Sequence, residues 1–142
     1  MKIAVASDHA GLNLKNAMLE VLQAKHWEFT DLGTYTPDST DYPIWGKLVA
    51  EKVASQEYDR GLIVCGSGIG IAIAANRVKG IRAANCSNTT EAHLSREHND
   101  ANVLALGGRT LGTEVAADIV RIFFTTDFSQ GERHQRRIDE LG

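Results

Sequence analysis

The sequence predicts a single α/β domain, a parallel sheet covered by helices on both faces. Three observations predict it. Short apolar runs alternate with longer amphipathic segments along the whole chain, the pattern of repeated strand-helix units. Glycines close the third and fifth of those runs at their carboxyl ends, where turns into helices are needed. The 142 residues suit one domain, and a hydrophobic content of 43% is enough to build a core without disulfides or a structural metal.

Lys2 to Ser7 is a short apolar run and reads as a buried strand. Leu12 to Lys25 follows as a helix, with Leu12, Leu14, Met18, Leu19 and Leu22 mostly on one face. Glu28 to Leu32 is a second strand. Gly33 to Pro43 collects Gly, Pro, Asp, Ser and Thr and reads as a loop, and Ile44 to Ser55 as a helix. Gly61 to Cys65 is the clearest strand; Gly66-Ser67-Gly68-Ile69-Gly70 closes it, and Ile71 to Arg77 resumes as helix. Ile81 to Cys86 is a fourth strand. Asn88 is placed to cap a helix over Thr89 to His98. Val103 to Leu106 is a fifth strand ended by Gly107-Gly108, followed by helices over Gly112 to Phe124 and, strongly charged, over Glu132 to Leu141.

Composition narrows the function classes. With 15 basic and 18 acidic residues the net charge is -3, so no general attraction draws the chain to nucleic acid or an anionic membrane. No apolar run approaches the roughly 20 residues that span a bilayer, and the N-terminal run reaches Asp8 too soon for a signal peptide. Cys65 and Cys86 do not make a disulfide framework. A cytoplasmic protein with free thiols is the expectation.

In parallel sheets the ligand crevice lies beyond the carboxyl ends of the strands. Asp8-His9 follows the first strand, Cys65 with the glycine turn follows the third, and Arg109 follows the fifth. A glycine turn running into a helix bares amides for an anion, or it is only a tight turn. It is not a P-loop, and its G-x-G-x-G spacing after the third strand suits a dinucleotide poorly. A thiol at a helix N-terminus can serve as base or nucleophile, yet a lone cysteine at a strand end is more often a small buried hydrophobe. Cys86 reads as structural. Asp8 is either a crevice residue or the N-cap of the next helix. His98 suits a helix C-terminus for electrostatic reasons alone, and His26 reads as surface. The histidines lack metal-site spacing, so no metal is expected. Arg133 and Arg137 share a helical face and suit a phosphate, or belong to a solvated helix in which Glu132 pairs with a basic neighbour.

Taken together, Ser7-Asp8-His9-Ala10-Gly11, Asp41-Tyr42-Pro43, Cys65 to Gly70, Ala74-Ala75-Asn76, Gly80 to Ala83, Ser95 to Val103 and Arg133-His134 resemble ribose-5-phosphate isomerase type B over nearly the whole chain. The wider group includes galactose-6-phosphate and allose-6-phosphate isomerases. The resemblance implies a three-layer α/β/α, Rossmann-like domain with a five-stranded parallel sheet, and a homodimer or homotetramer whose terminal helix (about 132–141) completes the partner's site. It implies metal-free, cofactor-free interconversion of ribose 5-phosphate and ribulose 5-phosphate through a cis-enediol.

By matching position it assigns Cys65 as the base at C2, with Ser67 assisting proton movement. His98 opens the furanose ring with Asp8 as its proton donor. Gly66, Gly68, Ile69 and Gly70 supply amides, Tyr42 and Asn99 hold hydroxyls, and His9, Arg109, Arg133 and Arg137 bind phosphate. A subgroup uses a Glu where this chain has Ile71, which places it with the cysteine-base members. Arg136 is a competitor of Arg137 for the phosphate. A six-carbon sugar phosphate as substrate and a nucleotide-binding regulatory module are the rival readings.

Overall fold

The computed structural model describes residues Met1–Gly142. Five strands, β1 (Lys2–Ser7), β2 (Glu28–Asp31), β3 (Arg60–Cys65), β4 (Ala83–Asn85) and β5 (Val103–Gly107), alternate with the helices α1 (Leu12–Ala24), α2 (Tyr42–Ala54), α3 (Ile69–Asn76), α4 (Thr89–Glu97) and α5 (Thr113–Thr125). A terminal helix, α6 (Glu132–Leu141), follows. All strand pairs are parallel, in the order β2-β1-β3-β5-β4. No helix is long and apolar enough to cross a membrane.

Side-chain alternation along the strands separates two cores. Ile3, Val5, Leu62, Val64, Leu104 and Leu106 pack with Met18 and Leu22 of α1 and with Ile119 and Phe123 of α5. Ala4, Ala6, Ile63 and Ala105 face the other way, against Val49 of α2 and Ile71 and Ala75 of α3. The expected three layers are therefore present, with α2 and α3 on one face and α1, α4 and α5 on the other.

Several boundaries differ from expectation. Pro43 is not in the loop but in the first turn of α2, where a missing N–H costs nothing and a fixed φ suits the helix. Ile69 and Gly70 belong to α3, whose N-cap is Gly68. The fourth strand is only Ala83–Asn85, because β4 is an edge with a single neighbour. Asn88 caps α4 as expected, its Oδ1 accepting from the Glu91 amide at 2.8 Å.

Candidate active site

The chain leaves β1 toward β2 on one side of the sheet and returns to add β3 on the other. Connections that part in this way open a crevice at the carboxyl ends of the two strands. A cavity of about 360 Å³ lies there, and Asp8, His9, Tyr42, Cys65, Ser67 and Arg109 all line it together with Gly66 and Gly70. More than half of the anticipated residues are thus assembled by one topological feature.

Cys65 ends β3 and is 4% exposed. The Gly68 amide donates to its Sγ at 3.2 Å, a contact that suits a sulfur carrying negative charge. Gly68 makes this possible with φ 79, a conformation open to glycine at little cost. The next amide, of Ile69, donates to Ser67 Oγ at 3.2 Å. The first helical bond accepted from the loop is that of Ala72 to the Gly68 carbonyl. The Gly70 and Ile71 amides therefore lack a main-chain acceptor, as first-turn donors do, and Gly70 opens on the cavity.

Two main-chain bonds tie this turn to the segment leaving β5. The Gly108 amide donates to the Cys65 carbonyl at 2.7 Å and the Arg109 amide to the Gly66 carbonyl at 2.8 Å. They lay the Arg109 side chain along Gly66. Tyr42, at the start of α2, rests its ring on Gly70, where an added Cβ would stand 2.6 Å from two ring carbons.

Asp8 is 5% exposed. It is not the N-cap of α1, which is Gly11; instead its Oδ1 accepts from the Gly11 amide at 3.0 Å, closing the turn into the helix. Nδ1 of His9 accepts from the Thr40 amide at 3.1 Å. That amide always carries its hydrogen, so Nδ1 is the unprotonated nitrogen and Nε2 keeps the proton for a ligand.

The loop bearing Thr40 is held by a residue to which sequence reasoning attached no role. Lys15 is fully buried, and its Nζ donates to Asp31 Oδ1 at 2.7 Å and to the Thr34 carbonyl at 2.6 Å. A lysine on an otherwise apolar helical face was the available signal, but its partners lie on another element.

His98, Asn99, Arg133 and Arg137 do not reach this cavity. α4 runs antiparallel to the strands, so its C-terminus lies at the amino end of the sheet, on the order of 15 Å from the carboxyl ends at a rise of ~3.3 Å per strand residue. The imidazoles of His98 and His134 stack there, ring centroids 4.3 Å apart and planes at 11°. Reduced solvation, followed by the charges of His98, Arg133 and Arg137, lowers the pKa of His134 below the ordinary histidine value. His134 was quoted only as part of a motif; its contact depends on how α6 folds back.

Glu132 pairs with no basic neighbour. The one ion pair within α6 joins Arg136 and Glu140 at 4.0 Å, while Arg133 and Arg137 have no acidic partner. Cys86 is structural, as expected: it is 2% exposed, and burial pushes its thiol up to about 11. His26 is exposed, as read.

Comparison with known proteins adds four findings. A family model described as Ribose/Galactose Isomerase matches residues 3–141. The chain is 44% identical to ribose-5-phosphate isomerase B of Escherichia coli (strain K12) over 140 residues, covering 99% of this chain and 93% of the relative. Among solved structures, ribose-5-phosphate isomerase B of Clostridium thermocellum superposes with a TM-score of 0.98 at 51% identity, covering 100% of this chain and 95% of that one. The Mycoplasma genitalium enzyme with bound ribulose-5-phosphate superposes with a TM-score of 0.93 at 42% identity, over 99% of this chain and 93% of that one.

Proposed function

The chain belongs to the ribose/galactose isomerase family, and from that premise we propose that it interconverts ribose 5-phosphate and ribulose 5-phosphate through a cis-enediol with Cys65 as the base. The observation that carries the reading is the position of Sγ, on a glycine turn at the helix start and facing a cavity shared with Asp8 and Arg109.

In the opened aldose the C2 proton is acidic because the C1 carbonyl can take up the electron pair. Cys65 removes that proton, and the free amides at the start of α3 stabilise the enediolate oxygen as it forms. Ser67 assists the proton's passage between the two oxygens, and the proton returns at C1 to give the ketose. Tyr42 orients a hydroxyl, while His9 Nε2–H and Arg109 bind phosphate.

His98 opens the furanose as general base and Asp8 protonates the ring oxygen. Because His98 lies at the far end of its own sheet, this step draws His98, Asn99, Arg133 and Arg137 from a partner subunit. A homodimer, alone or paired into a tetramer, supplies them. α3 presents Ile69 and Ile73, 58% and 54% exposed and one turn apart, and the adjoining α2 presents Ile44, 58% exposed. That apolar face at the edge of the cavity suits a second copy of the chain. Free thiols at Cys65 and Cys86 suit a reducing cytoplasm.

Purified protein is expected to turn over ribose 5-phosphate faster than allose 6-phosphate in a coupled assay. Turnover of the hexose alone would move the substrate up by one carbon. Binding of ATP or NAD without turnover of either sugar would favour the nucleotide-binding module, a reading that leaves Cys65 and the arginines without work.

Subunit sharing has its own test. Cys65→Ala and His98→Asn proteins, each inactive, are unfolded together and refolded. Random pairing then gives about a quarter of wild-type activity, since half the dimers carry one intact composite site. If both residues served one protomer's site, no mixture would regain activity.

A further inference from the structure

His98 and Asn99 stand on the turn between α4 and β5, and that turn is held in an unusual way. Asp100 has φ 46, a left-handed conformation that costs an L residue energy and that Asp and Asn tolerate better than most. Two arginines close on it. Arg82, just ahead of β4, donates Nε to the Asn99 carbonyl at 2.8 Å and Nη2 to the Asp100 carbonyl at 2.9 Å. Arg96 of α4, 2% exposed, donates Nη1 to Asp100 Oδ1 at 2.8 Å and to the Ala101 carbonyl at 2.6 Å. Its Nε donates to the Thr126 carbonyl at 3.0 Å, which joins the turn to the segment leading into α6. The segment carrying Arg82 is itself pinned, its amide donating to Asn102 Oδ1 at 2.8 Å.

These bonds have a common effect. The Asp100 and Ala101 amides already close the end of α4, donating to the Arg96 and Ser95 carbonyls at 3.1 and 2.9 Å, and the arginines add to that closure by taking polar groups the main chain leaves over. Arg82 takes the two carbonyls that flank Asp100, and a planar guanidinium offers them in one fixed orientation. Arg96 holds the same residue from the side chain. The peptides following Asn99 and Asp100 are therefore held by a fork from Arg82, which precedes β4 in the chain, and with them the direction in which the Asn99 side chain leaves the backbone.

We propose that Arg82 is a positioning residue for ring opening: its fork holds the Asn99–Asp100 backbone so that His98 and Asn99 keep the orientation in which they meet the sugar. The inference rests on the assignment of ring opening to His98. Arg82 touches neither the substrate nor the reacting atoms in this arrangement. Arg96, deeply buried and bonded to both the Asp100–Ala101 turn and Thr126, is the structural anchor of the pair. Arg82 is the residue to test, because its side chain is 26% exposed and can be changed without emptying a core.

The chemistry separates a positioning role from general damage. Ribose 5-phosphate is largely a furanose and must be opened. Ribulose 5-phosphate cannot close to a furanose, because its C5 oxygen is esterified. Exchange of its C1 hydrogen with solvent deuterium, measured at saturating substrate, needs Cys65 and bound sugar phosphate but no ring opening. Arg82→Gln is expected to lower turnover of ribose 5-phosphate about tenfold, in line with small misplacements of catalytic groups, while C1 exchange in ribulose 5-phosphate, followed by proton NMR, changes less than twofold. Arg82→Lys keeps the stem and charge but reaches one carbonyl at a time, and is expected to show the same split at smaller size.

Equal losses in both reactions, or no loss in either, with both variants would overturn the positioning role. His98→Asn is measured alongside. A split in His98→Asn that is missing from the Arg82 variants overturns the clasp alone. If His98→Asn shows no split, the ring-opening assignment falls and the clasp's function falls with it.

Discussion

Replacement of Cys65 by alanine is expected to lower kcat by about 10²- to 10⁴-fold, the range that one general base supplies, and to abolish C1 exchange in ribulose 5-phosphate. The reason is chemical rather than structural. Cys65 is a small side chain at the end of β3, and its loss removes one sulfur contact with the Gly68 amide and little apolar surface. The melting temperature should move by only a few degrees, consistent with a stability change of about 1 kcal/mol. Binding of inorganic phosphate, read by calorimetry, should persist, because His9 and Arg109 stay in place. Cys86→Ala is the control: its thiol is buried against Ser95 and remote from the cavity, so activity should stay near wild type. Substantial turnover by Cys65→Ala would remove it as the base and direct attention to Asp8, the other buried ionisable group in the cavity.

The second large effect is expected from Gly68→Ala. Gly68 holds φ 79, and an added Cβ would run into Asn85 Oδ1 and stand 2.9 Å from the Leu106 carbonyl carbon. Neither neighbour is free to give way. Leu106 is in the central strand β5, and Asn85 donates its side-chain amide to the Ser67 carbonyl at 3.4 Å. The turn itself must move, carrying away the amide that faces Sγ. A destabilisation of about 2–3 kcal/mol is expected from strain and overpacking, together with a loss of kcat of at least about 100-fold. Thermal denaturation and steady-state kinetics on the same preparation check both. Gly80→Ala provides the contrast. Gly80 also has positive φ, 88, but an added Cβ there would meet nothing within 4 Å, so it should cost stability and leave kcat nearly unchanged. A Gly68→Ala protein with full activity would show that the turn's geometry is not what arms the cysteine.

Asp8, His9, Arg109 and Cys65 with its glycine turn were legible because each lies at or just after the end of a strand, whereas Tyr42 entered only through the resemblance. Strand ends are marked locally, by a switch from apolar alternation to Gly, Asp or Ser, and a parallel sheet brings such ends to one edge. Asp8, Cys65 and Arg109 are far apart in the chain and could still be grouped on that rule. The misplaced boundaries, Pro43 and Ile69-Gly70, fall where a helix start and a turn have the same composition. There the decision rests on which peptide first accepts a helical bond. Lys15, Arg82 and Arg96 were missed for another reason. Each acts through carbonyls and carboxylates of other elements, and a charge on a helical face carries no record of whether it will meet solvent or a buried acceptor.

Taken alone, the sequence determined the α/β class, the five strands and six helices, the glycine turn beneath Cys65, and, through the resemblance its motifs carry, the reaction. The elements and the turn follow from local periodicity and from residues a few positions apart, whereas the reaction follows from the resemblance alone. Tertiary structure alone decided that β5 enters between β3 and β4, which lays Arg109 beside Gly66, and that the Thr40 amide selects the tautomer of His9. It also parted His98 and Asn99 from the Cys65 cavity, because a helix that joins parallel strands must end at the opposite end of the sheet from where it began, and α6 follows them there through the stacking of His134 on His98. Such relations depend on the order of strands and the packing of distant surfaces, for which local periodicity carries no signal.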